Sequence, residues 1–181
     1  MLDLHDIRYV RLGTNDLEMV TDYATNILGL QIGRREKNAV YFRSDSREHT
    51  LCYFEGDPAD HTTGFEVDAK EKLEAAATFL EKNGYAAIAG SAEECEIRHA
   101  KDFITFKDPT GNKIELVWRP QDMDGRRYFP SRDAGVTDFS HVGLCTTDCI
   151  RDSAFWTGMT NARVSDWIGD APLLRIDEIH H

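Results

Sequence analysis

Alternating apolar and polar positions predict a first strand at Ile7–Leu12. A helical period follows, with Leu17, Val20, Ala24, Ile27 and Leu28 on one face and Gly29 as its stop. Asn15, with Glu18 three residues on, predicts a capping box at the start of this helix. Alternation resumes at 31–36, 39–44 and 49–55. The order is therefore β-α-β-β-β.

The same order restarts at Thr62–Val67. Asp68 is expected to cap a helix carrying Leu73, Ala76, Ala77 and Leu80, which Asn83-Gly84 ends. Strands are predicted at 86–89, 97–100, 103–107 and 113–118. The turn Asp108-Pro109-Thr110-Gly111-Asn112 joins the last two. Residues 121–135 show little periodicity and read as a linker. A third start falls at Phe139, with a helix over 150–160 and strands at 162–167 and 173–176. The predicted class is α+β, built from paired βαβββ modules: a domain over 1–120, the linker 121–135, and a partial domain over 136–181.

The third module repeats the first residue by residue. Tyr9-Val10-Arg11-Leu12-Gly13-Thr14-Asn15-Asp16 is echoed by His141-Val142-Gly143-Leu144-Cys145-Thr146-Thr147-Asp148. Tyr9 leads to Tyr23, and His141 leads to Phe155, at the same offset. The same alignment sets His181 opposite His49. Such self-similarity marks duplicated modules. The exchange of Tyr9 for His141 changes the chemistry, because imidazole is a good metal ligand and a phenol a poor one. One copy reads as scaffold and the other as the edge of a metal site. The third module is expected to lack its closing strand, leaving an unpaired sheet edge.

Composition narrows the function classes. The chain has 181 residues, 41% hydrophobic and 29% charged, which suits a globular protein able to bury a core. A net charge of −11 and the lack of a compact basic stripe argue against nucleic acid or an anionic membrane as a partner. No apolar run reaches spanning length and the N-terminus lacks a signal-peptide pattern, so a cytoplasmic location is expected. The four cysteines form no C-x-x-C pair and read as reduced thiols, Cys145 as a small core residue in a strand.

Three segments carry a family resemblance: Asp108-Pro-Thr-Gly-Asn-Lys-Ile-Glu115-Leu, Phe139-Ser-His141-Val-Gly-Leu, and Leu174-Arg-Ile-Asp-Glu-Ile-His180-His181. They resemble the vicinal oxygen chelate superfamily, also called the glyoxalase, bleomycin-resistance and extradiol-dioxygenase superfamily. More closely, the chain resembles the N-terminal part of type I extradiol ring-cleavage dioxygenases, with the texture of those acting on 2,3-dihydroxy-p-cumate or 2,3-dihydroxybiphenyl. The resemblance implies four modules in two domains, with Fe(II), or Mn(II) in some members, bound by the C-terminal pair. Two histidines and one glutamate would hold one face of the metal and leave the other open to a catechol and O2. His141 matches the first ligand. His181, or else His180, matches the histidine that donates hydrogen bonds and shuttles a proton to oxygen species. The other two ligands would lie in a fourth module, so this chain alone is expected to be inactive. A homo-oligomer is expected.

Blander readings stand beside these. His141 could be a core histidine, and His180-His181 a frayed terminus. Glu115 lies at the superfamily's carboxylate position, yet the matching strand starts offer Tyr9 and Thr62, so an exposed or hydrogen-bonded glutamate is expected. His61 is one residue out of register. His5, His49 and His99 read as surface or hydrogen-bonding residues. Tyr9, Tyr41, Phe42, Tyr53 and Phe54 read as core or an aromatic pocket, and Trp156 and Trp167 as core. A metal-free small-molecule binding protein and a non-catalytic interaction subunit are the alternative functions.

Overall fold

The structure, a computed structural model, describes residues 1–122, 127–133 and 135–178. They fall into two compact units. The observed class is α+β; module one keeps the expected β-α-β-β-β order, and module two keeps it with a short helix inserted between its second and third strands.

The first unit is Ile7–Thr63 with Gln121–His141. Its strands are β1 (Asp6–Thr14), β2 (Gln31–Arg35), β3 (Ala39–Arg43) and β4 (Leu51–Glu55), in the order β2-β3-β4-β1. β1 runs parallel to β4, with Val10 opposite Leu51 and Thr14 opposite Glu55. Helix α1 (Leu17–Asp22) continues into a π turn over Tyr23–Ile27, and Gly29 ends it at φ 74°. The cap is Asp16, not Asn15: its carboxylate accepts from the Met19 amide at 2.9 Å. Thr14 Oγ1 accepts from the Asp16 amide and so sets the helix start one residue later. Glu18 is then no capping partner and pairs with Arg35 at 3.0 Å instead. Leu17 and Ala24 pack on Leu30, Val40 and Phe42. Gly13 is required by close approach, since a Cβ there would lie 1.9 Å from the Asp57 carbonyl oxygen.

The second unit is Met1–Asp6, Gly64–Pro120 and Val142–His181. It holds β5 (His61–Val67, mostly), α2 (Lys70–Lys82), β6 (Ile88–Ala89), α3 (Ala92–Arg98), β7 (Ala100–Lys107) and β8 (Lys113–Pro120). The sheet order is β5-β8-β7-β6. Asp68 does not cap α2; Ala69 holds that position, and Asp68 pairs with Lys72 at 2.8 Å. Of the strand expected at 97–100, Ile97 and Arg98 end helix α3, His99 is its left-handed C-cap, and Ala100 opens β7. A Ser91–Glu94 capping box nucleates this helix and outweighs the β preference of the single residue Ile97. The hairpin turn is as expected: the Asp108 carboxylate accepts from the amides of Thr110, Gly111 and Asn112, and Gly111 sits at φ 104°.

Module three adds α4 (Cys149–Met159) and a two-stranded hairpin, β9 (Arg163–Ile168) with β10 (Ala171–Arg175). The strand expected from Phe139 does not form, and Cys145 is exposed rather than in the core. A strand holds only where a neighbour takes its backbone hydrogen bonds. Among the described residues, none pairs with 139–145 as a strand.

Candidate functional site

The position matching His141 in the first module, Tyr9, is fully buried beside His49. Their rings stack at 5.2 Å between centroids, and Tyr41 meets His49 edge-on at 5.1 Å. Glu48 Oε2 lies 2.5 Å from His49 Nδ1, which orients the imidazole. The Arg34 guanidinium sits 3.8 Å over the Tyr41 ring, with its Nε 3.4 Å from Glu48 Oε1. His49 is thus an interior residue, not a surface one. Its role was hidden in the sequence because its partners, Tyr9 and Tyr41, come from other strands. Tyr41 packs with Cys52 and Phe54, whereas Phe42 points to the opposite face among Leu30 and Val40.

Burial pushes the Cys52 thiol up to about 11, against the opposing pull of Arg11, whose Nη1 donates to its sulfur at 3.6 Å. Burial also raises the Cys95 thiol. Only the thiolate reacts with a disulfide reagent. At pH 8 such a reagent should therefore label Cys145 and Cys149 in the folded chain, while Cys52 and Cys95 should wait for unfolding. Mass mapping of the labelled chain checks this.

Glu115, at the superfamily's carboxylate position, is 1% exposed. Arg98 closes on it in a fork: Nε lies 2.9 Å from both carboxylate oxygens and Nη2 donates to Oε1 at 2.6 Å. The guanidinium also lies 4.2 Å over the Phe103 ring. The hydrogen-bonded reading of Glu115 is correct, and a cationic side chain already takes its charge. His61 is exposed and its neighbour Thr62, on the other face of β5, is buried.

In module three, His141 is exposed, with Ser140 Oγ 2.9 Å from its Nδ1. His180 and His181 lie outside the described residues. No group of three His, Cys, Asp or Glu side chains able to hold a metal occurs among the described residues. Helix α4 is seated firmly in the second unit. Phe155 packs on Tyr85 at 4.9 Å and Phe106 at 6.5 Å, and Trp156 on Phe65 at 5.6 Å. Trp167, by contrast, is 48% exposed on β9, so it is not core. Asp152 Oδ2 accepts from Thr110 Oγ1 and Thr146 Oγ1, each at 2.5 Å, and Arg151 Nε donates to Oδ1 at 2.8 Å. Asn112 Nδ2 donates to the Cys145 carbonyl at 2.7 Å.

Burial acts to raise the Asp152 pKa, but the hydrogen bonds from Thr110, Thr146 and Arg151 outweigh it and the net shift is downward. A depressed carboxylate adds stability above its unfolded pKa of about 3.9, and loses it as pH falls through the folded value. Seating of α4 should therefore be constant over pH 5–8 and weaken below about pH 4. Amide exchange across α4 as a function of pH checks this, with Asp152→Asn as the variant that flattens the profile.

The sequence profile of the Glyoxalase/Bleomycin resistance protein/Dioxygenase superfamily matches residues 6–116, and the chain belongs to that superfamily. Within it, the chain is 26% identical to the iron-dependent extradiol dioxygenase of Rhodococcus jostii RHA1, over 91% of this chain and 57% of that protein. It is 25% identical to the biphenyl-2,3-diol 1,2-dioxygenase of Paraburkholderia xenovorans LB400, over 99% of this chain and 65% of that one. The chain thus spans less than two thirds of these relatives. The crystal structure of a halotolerant catechol dioxygenase shares the fold, with a TM-score of 0.86 at 20% identity over 100% of this chain and 64% of the other. A Mn(II)-bound glyoxalase from Novosphingobium aromaticivorans does so with a TM-score of 0.82 at 19% identity, over 100% and 61%. No helix among the described residues is long and apolar enough to cross a membrane.

Proposed function

We propose that this chain supplies the non-metal domain, over 1–120, and the first part of the metal-binding domain, over 136–181, of an enzyme that opens catechols with O2 beside their vicinal hydroxyls. The relatives named an iron-dependent extradiol dioxygenase and a biphenyl-2,3-diol 1,2-dioxygenase support the substrate class. The contact between Tyr9 and His49 carries the site assignment. The repeat maps Tyr9 onto His141 and His49 onto His181. A third module folded as the first would bring His141 and His181 together in the same way. His141 would then be a metal ligand, and His181, or else His180, a hydrogen-bond donor beside it.

An extradiol site for Fe(II), or for Mn(II) in its place, needs two imidazoles and a carboxylate on one face of the ion. The described residues do not meet that need, because no three such side chains converge. No step of ring opening is therefore assigned to them. What they do is hold the frame: Asp152, Thr110 and Asn112 tie module three to the β7–β8 turn. A metal-free binding cleft lined by Tyr9 and Tyr41 is not favoured, since both rings are buried against His49.

Titration with Mn(II), followed by NMR line broadening, tests the ligand position. The reading predicts weak broadening centred on His141 that His141→Ala abolishes. Broadening that survives the substitution, or that centres elsewhere, contradicts it.

A further inference from the structure

One buried cation of the first unit has no anion beside it. Arg11, on β1, is 7% exposed. Its Nη1 donates to the Cys52 sulfur at 3.6 Å, and its guanidinium carbon lies 5.3 Å from the centre of the Phe54 ring. Among the described residues no carboxylate pairs with it; Glu36 and Glu48 both pair with Arg34 instead. Cys52 does not supply the charge, because burial holds its thiol at about 11 and therefore neutral at pH 7. Burial raises the Tyr41 hydroxyl as well. A guanidinium cannot shed its proton to escape a buried site, so a buried arginine ordinarily has an anionic partner.

Strand register shows what surrounds this charge. Arg11 lies opposite Cys52, Cys52 opposite Tyr41, and Tyr41 opposite Arg34. The four share one rung across β1-β4-β3-β2, with a guanidinium at each end and two neutral protic groups between them. The ends lean inward: Arg11 reaches the Cys52 sulfur, and Arg34 lies 3.8 Å over the Tyr41 ring. Arg34 Nη2 is buried and makes no hydrogen bond among the described residues. The rung is thus rich in donors, and the carboxylates Glu36 and Glu48 stand at its Arg34 end. Solvent reaches it at Phe54 and Arg34, which are half-buried.

We propose that Arg11, with Cys52 and Phe54 around it, holds a small monovalent anion of about the size of chloride. One unpaired positive charge calls for one negative charge, and a side chain 7% exposed leaves room for an ion rather than a larger body. An ion of this size needs no open cleft. The site is independent of the ring-cleavage reading.

Thermal melting of the full chain tests it, with sodium chloride exchanged for sodium gluconate at a constant ionic strength of about 0.3 M. Gluconate carries the same charge but is too bulky to be enclosed. Chloride should raise the melting midpoint by about 3 °C over gluconate, and the rise should saturate. Arg11→Met should fold, melt in gluconate at or above the unaltered chain, and respond to chloride by less than about 1 °C. The chlorine NMR line of the buffer should be broadened by the unaltered folded chain and not by Arg11→Met. A midpoint that ignores chloride, or a chloride response and line broadening that survive in Arg11→Met, overturns the proposal. So does an Arg11→Met chain that fails to fold, since removing a charge without a protein partner strands no other charge.

Discussion

Replacing Arg98 with alanine should destabilise the second unit by about 3–5 kcal/mol, the usual cost of leaving a buried charge without its partner. The Glu115 side chain is 2% exposed and that of Arg98 15%, so water cannot stand in for the lost guanidinium. The fork of Nε and Nη2 on the carboxylate is the geometry in which such a pair is strongest. Loss of the stacking on Phe103 adds to the effect. Glu115→Gln keeps the volume and one acceptor, so it should cost less than Arg98→Ala. The double variant Arg98→Met, Glu115→Leu should recover much of the loss, because a packed apolar pair removes both desolvation penalties. Urea denaturation of the variants reads this directly. A cost below about 1 kcal/mol for Arg98→Ala would mean the pair behaves as a surface contact.

Phe155→Ala should have an effect of similar size, about 3–5 kcal/mol, through the cavity it leaves. The ring is enclosed by Tyr85, Phe106 and Trp156, at 4.9, 6.5 and 5.6 Å between centroids. The loss should be local first: amides of α4 should exchange faster, while those of β3 in the first unit stay protected. Uniform acceleration across both units would contradict that localisation.

Much of this fold could be read from the chain because the period-two and period-3.6 segments of modules one and two are long and cleanly bounded. The Asp108–Asn112 turn was legible from residue type alone, since its carboxylate and glycine each serve a specific backbone need. Local competition set the misses. Asn15 and Asp16 are both capable caps, and the bond from the Asp16 amide to Thr14 decided between them. Ile97 suggested a strand, but the Ser91–Glu94 box acts three to six residues earlier and fixes a helix. The 139–145 segment alternates as a strand should, yet alternation specifies a face and not the neighbour that must pair with it. The site was legible only in part. Tyr9 against His141 stood out in the repeat. The enclosure of His49 and the capture of Glu115 by Arg98 depend on residues far apart in sequence.

The most direct test of the central claim is a ring-cleavage assay. The chain is supplied anaerobically with Fe(II) and biphenyl-2,3-diol, air is admitted, and the coloured ring-opened product is followed by absorbance. With one ligand position among its described residues, this chain should leave the diol intact. Product formed by this chain alone, above a metal-only control and lost in His141→Ala, would show a complete iron site and contradict the account.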